Sequence, residues 1–105
     1  MENSKMLNVV SYEDNHFIGS YKIDSENILD KLENMFKRKL IIFIDNIEMF
    51  ANIPDNYIII KSINELKEPT ENSLIIINKL DRIEVLKELK NSQNKSYINI
   101  VVTKG

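Results

Sequence analysis

Few side chains in this sequence are equipped for chemistry, and most of those follow directly on apolar runs. Asp45 comes after Leu40-Ile41-Ile42-Phe43-Ile44, Asn78-Lys79 after Leu74-Ile75-Ile76-Ile77, and Ser62 two residues after Ile60. Open parallel sheets bind ligands at the carboxyl ends of their strands, so Asp45, Ser62, Asn78 and Lys79 form one candidate ligand site. Asp14, with Glu13, joins them if the first strand is also parallel. A carboxylate-based hydrolase assembled from Asp45, Asp81 and the Glu13-Asp14 pair is chemically feasible, but nothing in the spacing demands it.

Other chemistries lack their parts. The 105 residues include no cysteine, which removes disulfides, thiolate metal sites and a thiol nucleophile together. His16 is the single histidine, so no multi-histidine metal site exists. Its place on the wetter face of a strand makes it an exposed structural residue. Only Gly19 and Gly105 are glycines, whereas a phosphate cradle needs several, so that successive N–H groups converge. The expectation is a non-catalytic chain with no cofactor and no metal.

Two family patterns share part of the strand-end set. Ile41-Ile42-Phe43-Ile44-Asp45 resembles the magnesium-binding aspartate strand of P-loop ATPases, and Asn78 resembles the polar sensor residue of their AAA+ branch. That resemblance implies a nucleotide with Mg²⁺ at Asp45. The G-x-x-x-x-G-K-[ST] loop is missing, so the relative it implies is degenerate. Glu13-Asp14, Asp45, Ser62 and Lys79 are similar, in order, to the acid pair, acceptor aspartate, hydroxyl and lysine of a phosphoacceptor receiver domain. The chain departs from a receiver in having no room for a helix between Asp14 and Ile23. It also places an apolar run, Tyr97 to Val102, where a receiver has its final helix. An aspartate after four apolar residues is equally the ordinary way for a strand to pass into a capped helix.

The elements that must position these residues are plain in outline. Leu40 to Ile44 has no polar alternation, as in a strand covered on both faces. Tyr57 to Ile60, Leu74 to Ile77 and Tyr97 to Val102 read the same way. Met6 to Tyr12 and His16 to Ile23 predict an N-terminal hairpin, with Phe17, Tyr21 and Ile23 on one face. Ile28, Leu29, Leu32, Met35 and Phe36 recur at helical spacing after a cap at Asp24 or Ser25, and Lys37-Arg38-Lys39 close that helix. A short helix carrying Ile47, Met49 and Phe50 is expected before Pro54. Asp81-Arg82-Ile83-Glu84 has the form of a capping box, opening a helix with Ile83, Leu86 and Leu89 buried and Val85 flanking. A polar loop spans Lys90 to Lys95. Together these predict one α/β domain over 1–105, three-layered, with a mainly parallel sheet of about five to six strands and an N-terminal β-hairpin.

Composition narrows the partners. With 43% hydrophobic and 29% charged residues the chain has ordinary globular usage. A net charge of −2 points to no nucleic acid partner, and Lys79, Arg82, Lys87, Lys90 and Lys95 are interleaved with acids as on a solvated face. No apolar run reaches the roughly 18–20 residues that span a bilayer. Met1-Glu2-Asn3-Ser4-Lys5 does not open as a secretory signal does, so a soluble cytoplasmic protein with no membrane partner is expected. The function expected is regulation by binding a protein, in an inhibitor, immunity-type or small-subunit role. Candidate contact residues are Phe17 and Tyr21 on the hairpin, and Met49, Phe50 and Ile53 on the short helix. A homodimer paired along the hairpin edge is a further expectation.

Overall fold

The computed structural model describes residues 5–66, 74–90 and 97–105. Six strands, β1 (Met6–Glu13), β2 (His16–Asp24), β3 (Lys39–Ile44), β4 (Tyr57–Ile60), β5 (Leu74–Asn78) and β6 (Tyr97–Lys104), form one sheet in the order β2-β1-β6-β3-β5-β4. Two helices accompany them, α1 (Ile28–Phe36) and α2 (Arg82–Lys90). β6, β3, β5 and β4 are mutually parallel, while β1 runs antiparallel to both β2 and β6. The expected mainly parallel sheet is thus corrected to a mixed one, antiparallel at one end. The cause is that β1 docks antiparallel on β6, with β2 folded back beside it by a tight turn. Asp14 and Asn15 both take left-handed backbone, φ 50° and 64°. Two such residues in succession make the turn whose twist matches a two-residue hairpin.

The hairpin carries a bulge where the alternation of its sequence lapses, at Phe17-Ile18. Ser11 pairs with Gly19, but Tyr12 pairs with Phe17, so Ile18 is left over. One extra residue sends everything on the turn side to the opposite face. Phe17 and Tyr21 therefore do not share a face as expected. Phe17 meets Tyr12 edge-on at 6.3 Å, and Tyr21 meets Phe36 of α1 edge-on at 6.4 Å.

Two apolar clusters lie on opposite faces of the sheet. Leu7, Val9 and Ile23 of the hairpin join Leu40, Ile42, Ile44, Ile98, Ile100 and Val102 beneath Ile28, Leu29 and Leu32 of α1. On the other face Ile41, Phe43, Ile75, Ile77 and Tyr97 gather around Val85 of α2. β3 feeds alternate residues to both clusters, which is why its apolar run is unbroken.

α2 turns differently from its expected face. Val85, not Ile83, is the fully buried residue; Leu86 and Leu89 are half-buried and Ile83 is 63% exposed. Residues two apart stand about 200° around a helix, so burying Val85 carries Ile83 to the solvent side. Met35 of α1 is likewise exposed. The start of α1 also differs from the expected cap. Asp24 Oδ1 accepts from the Glu26 N–H at 2.9 Å in a turn before the helix, while the buried Ser25 exchanges hydrogen bonds with the Lys5 backbone. α1 ends at Lys37, in left-handed backbone at φ 50°, whose N–H donates to Glu33 O.

One capping device recurs at the ends of the parallel strands. Asn46 Oδ1 accepts from Glu48 N–H and opens a 3-10 turn at Ile47–Met49. Ser62 Oγ does the same for Asn64 N–H before Ile63–Glu65. Asp81 Oδ1 accepts from Ile83 N–H as α2 begins. The polar side chain satisfies a donor that the first turn leaves open. The short helix expected after β3 is this single turn, capped by Asn46 rather than Asp45. The loop expected at Lys90 to Lys95 lies, beyond Lys90, outside the described residues.

Candidate functional site

Topology divides the sequence-derived ligand set between two rims. β3, β4 and β5 end at one rim, delivering Asp45, Ser62 and Asn78-Lys79. β1 runs the other way. Its Tyr12 pairs with Asn99, which pairs in turn with Ile41 near the start of β3. Asp14 therefore sits at the opposite rim and cannot join Asp45. Asp45 and Lys79 do meet, lining a cleft of about 470 Å³ with Asp81 and Arg82. Lys79 is held there by left-handed backbone, φ 64°, and by its N–H donating to Ile44 O at 2.9 Å. Asn78, directly across from Ile44, has a buried Oδ1 with no hydrogen-bond partner. Ser62 spends its hydroxyl on the cap and does not line the cleft. Among the described residues no three His, Cys, Asp or Glu side chains converge as a metal site would require.

A larger groove, about 590 Å³, lies between α2 and the hairpin turn. Ile41, Tyr97 and Asn99 floor it; α2 supplies Ile83, Leu86 and Leu89 together with Arg82, Lys87 and Lys90; Asp14 and Asn15 close one side. It exists because α2 covers Ile41, Phe43, Ile75 and Ile77, while no described helix packs over the same face of β1 and β2. Arg82 lines both this groove and the strand-end cleft, and its guanidinium carbon lies 4.2 Å from the centre of the Tyr12 ring. Cation and ring face attract, so Phe17, Tyr12 and Arg82 form one continuous row. Lys39 Nζ stands 5.5 Å from the Tyr97 ring centre in the same manner.

The apolar contact candidates separate by burial. Phe17 is 61% exposed, whereas Met49 and Phe50 retain 8% and 7% and belong to the α1-side core. Ile53 and Tyr21 are half-buried against that core. A charge placed at Met49 or Phe50 would therefore enter the interior and test folding rather than binding. Among the described residues, the one strongly displaced titration also belongs to this face. Burial, and then the neighbouring Glu33, push the Tyr57 phenol upward, and neither Tyr57 Oη nor Glu33 Oε1 has a hydrogen-bond partner of regular geometry.

Sequence reasoning missed the Phe17-Tyr12-Arg82 row and the groove beside it. Arg82 is far from the other two in the chain, and the bulge that turns Phe17 toward Tyr12 is marked in the sequence only by the consecutive apolar pair Phe17-Ile18 before Gly19. No protein-family model, curated protein or solved structure matches this chain.

Proposed function

We propose that this chain is a non-catalytic, regulatory protein-binding domain that meets its partner with the face shared by the hairpin turn and α2. One observation carries the reading: Phe17 stands exposed at the end of the Phe17-Tyr12-Arg82 row, with Ile83 exposed on the adjacent helix. Aromatic and arginine side chains dominate the energetic centres of protein interfaces, and a pre-stacked row loses little side-chain freedom on binding. Helices packed on opposite faces of the sheet would make a three-layer domain and hold the row on a rigid support. The role is that of an inhibitor, immunity-type protein or small subunit acting in the cytoplasm, and a second copy pairing along β2 is the homodimeric form of the same idea.

A photo-crosslinking residue placed at Phe17 or Ile83 in expressing cells should trap one specific protein, while the same residue at exposed Met35 traps none. With that protein purified, Phe17→Ala should weaken binding by about 30-fold, the scale of a central interface residue. Equal trapping from Met35, or unchanged affinity in Phe17→Ala, refutes the reading.

A second reading rests on Asp45 and Lys79 lining one cleft. There the neighbouring strands β3 and β5 lead their connections to opposite faces of the sheet, toward Met49 on one side and Val85 on the other. That is where a degenerate nucleotide or Mg²⁺ site would lie, with Asn78 beside it. ATP with Mg²⁺ raises the melting temperature if this second reading holds and leaves it unchanged if it does not.

A further inference from the structure

The groove between α2 and the hairpin turn is one-sided in charge, with Arg82, Lys87 and Lys90 against the single carboxylate of Asp14. Two of its polar groups have unmet hydrogen bonds. Asn99 is 7% exposed, and its Oδ1 is buried without a donor. Arg82 Nε is buried without an acceptor. Each such group forgoes hydrogen bonding that water would supply, so a ligand completing it recovers that loss on binding. Between these polar points the lining is apolar, with Ile41 below and Leu86 and Leu89 on the helix wall. A volume of about 590 Å³ lies within the range of small-molecule sites, roughly 300–1,000 Å³.

We propose that this groove binds a small organic anion: a carboxylate on an apolar body that also carries an N–H, as an N-acylated hydrophobic amino acid does. The carboxylate accepts from Arg82 and neutralises the Lys87 and Lys90 side of the groove, which a neutral ligand would leave uncompensated. The N–H donates to Asn99 Oδ1, and the apolar body covers Ile41, Leu86 and Leu89. This goes beyond protein binding: Arg82 and Ile83 belong to both surfaces, but Phe17 and Tyr12 do not line the groove, and Asn99 and Ile41 at its floor take no part in the protein-binding row.

Titration of the full chain with N-acetylphenylalanine, followed by backbone amide chemical shifts, tests the assignment. Saturable shifts are expected at Ile83, Leu86, Leu89 and Asn99. Phenylacetate lacks the N–H, N-acetylphenylalanine amide lacks the carboxylate, and inorganic phosphate lacks the apolar body; each should bind about tenfold more weakly or worse. Asn99→Leu keeps the size of the side chain but removes the acceptor. It should weaken N-acetylphenylalanine about tenfold, leave phenylacetate unchanged, and raise rather than lower the melting temperature. Lys87→Gln, on the exposed side of the helix, should weaken both carboxylates and spare the amide. The proposal is overturned by any of three results: no saturable shift at millimolar N-acetylphenylalanine, equal binding of phosphate, or equal weakening of N-acetylphenylalanine and phenylacetate by Asn99→Leu. A protein partner captured through Phe17 would survive all three, so the two ideas fail separately.

Discussion

Lys37 is where α1 must stop, and it does so in a conformation that suits glycine better than lysine. Its φ of 50° and ψ of 35° place it in the left-handed region, with its N–H bonded to Glu33 O. A residue with a Cβ pays about 1–2 kcal/mol there. Glycine avoids that cost but gives up roughly 0.5–1 kcal/mol of chain freedom on folding. Comparing Lys37→Gly with Lys37→Ala isolates the difference, because both remove the same ammonium near the helix carboxyl end and its roughly 0.3–1 kcal/mol cancels. Glycine should therefore be the more stable of the two by about 0.5–1 kcal/mol. In a domain of this size that corresponds to a melting difference of roughly 3–6 °C. Urea unfolding followed by far-ultraviolet circular dichroism gives the comparison directly, with midpoints read at equal slopes. Lys37→Asn should fall between the two, since asparagine tolerates left-handed backbone better than alanine. An alanine variant as stable as the glycine variant would mean that Lys37 is not left-handed and that α1 ends elsewhere.

Tyr57 and Gly19 give two further tests. Burial, and then Glu33, hold the Tyr57 proton in the folded state after the unfolded chain has begun to lose it, at an ordinary phenol value of about 10. Its contribution is complete below that pH and declines as pH rises past it, so Tyr57→Phe should lose stability less steeply than the parent in alkali. Parallel curves would sink the argument. A Cβ at Gly19 would overlap the Tyr21 ring, which would have to leave Phe36. Gly19→Ala should cost about 1–2 kcal/mol, comparable with losing an aromatic pair and some burial, and should cost little in a Tyr21→Ala background. An undiminished penalty in that background would place the strain elsewhere.

Sequence legibility followed the range of the interactions. β3, β5 and β6 are visible because uniform apolar runs report two-sided burial. β4 is visible because its run is just as apolar, although at the sheet edge it leaves Ile58 and Ile59 exposed. The hairpin is visible because Glu13-Asp14-Asn15 is a polar break of turn length. Strand direction at the hairpin end depends on β1 meeting β6, 96 residues apart at the Asn8–Lys104 hydrogen bond, and nothing local encodes it. That single pairing moved Asp14 away from Asp45. The face of α2 was misread because Val85, Leu86 and Leu89 on one side and Ile83, Leu86 and Leu89 on the other fit the same periodicity. The choice rests with the sheet residues underneath. Asp45 and Lys79 were found together because both simply follow parallel strands, whereas Asn99, inside a strand of mostly apolar residues, gave no sign that its amide would be left without a donor.

β6 lies between the hairpin and the β3-β5-β4 ladder, and among the described residues no other strand bridges them. During synthesis each portion can pair within itself but presents a raw edge to its surroundings, and those edges can be joined only after residues 97–104 have been made. The last strand in chain order is thus the keystone of the sheet. A nascent chain remains vulnerable to mispairing with its neighbours until that segment slots in, however early the hairpin has formed.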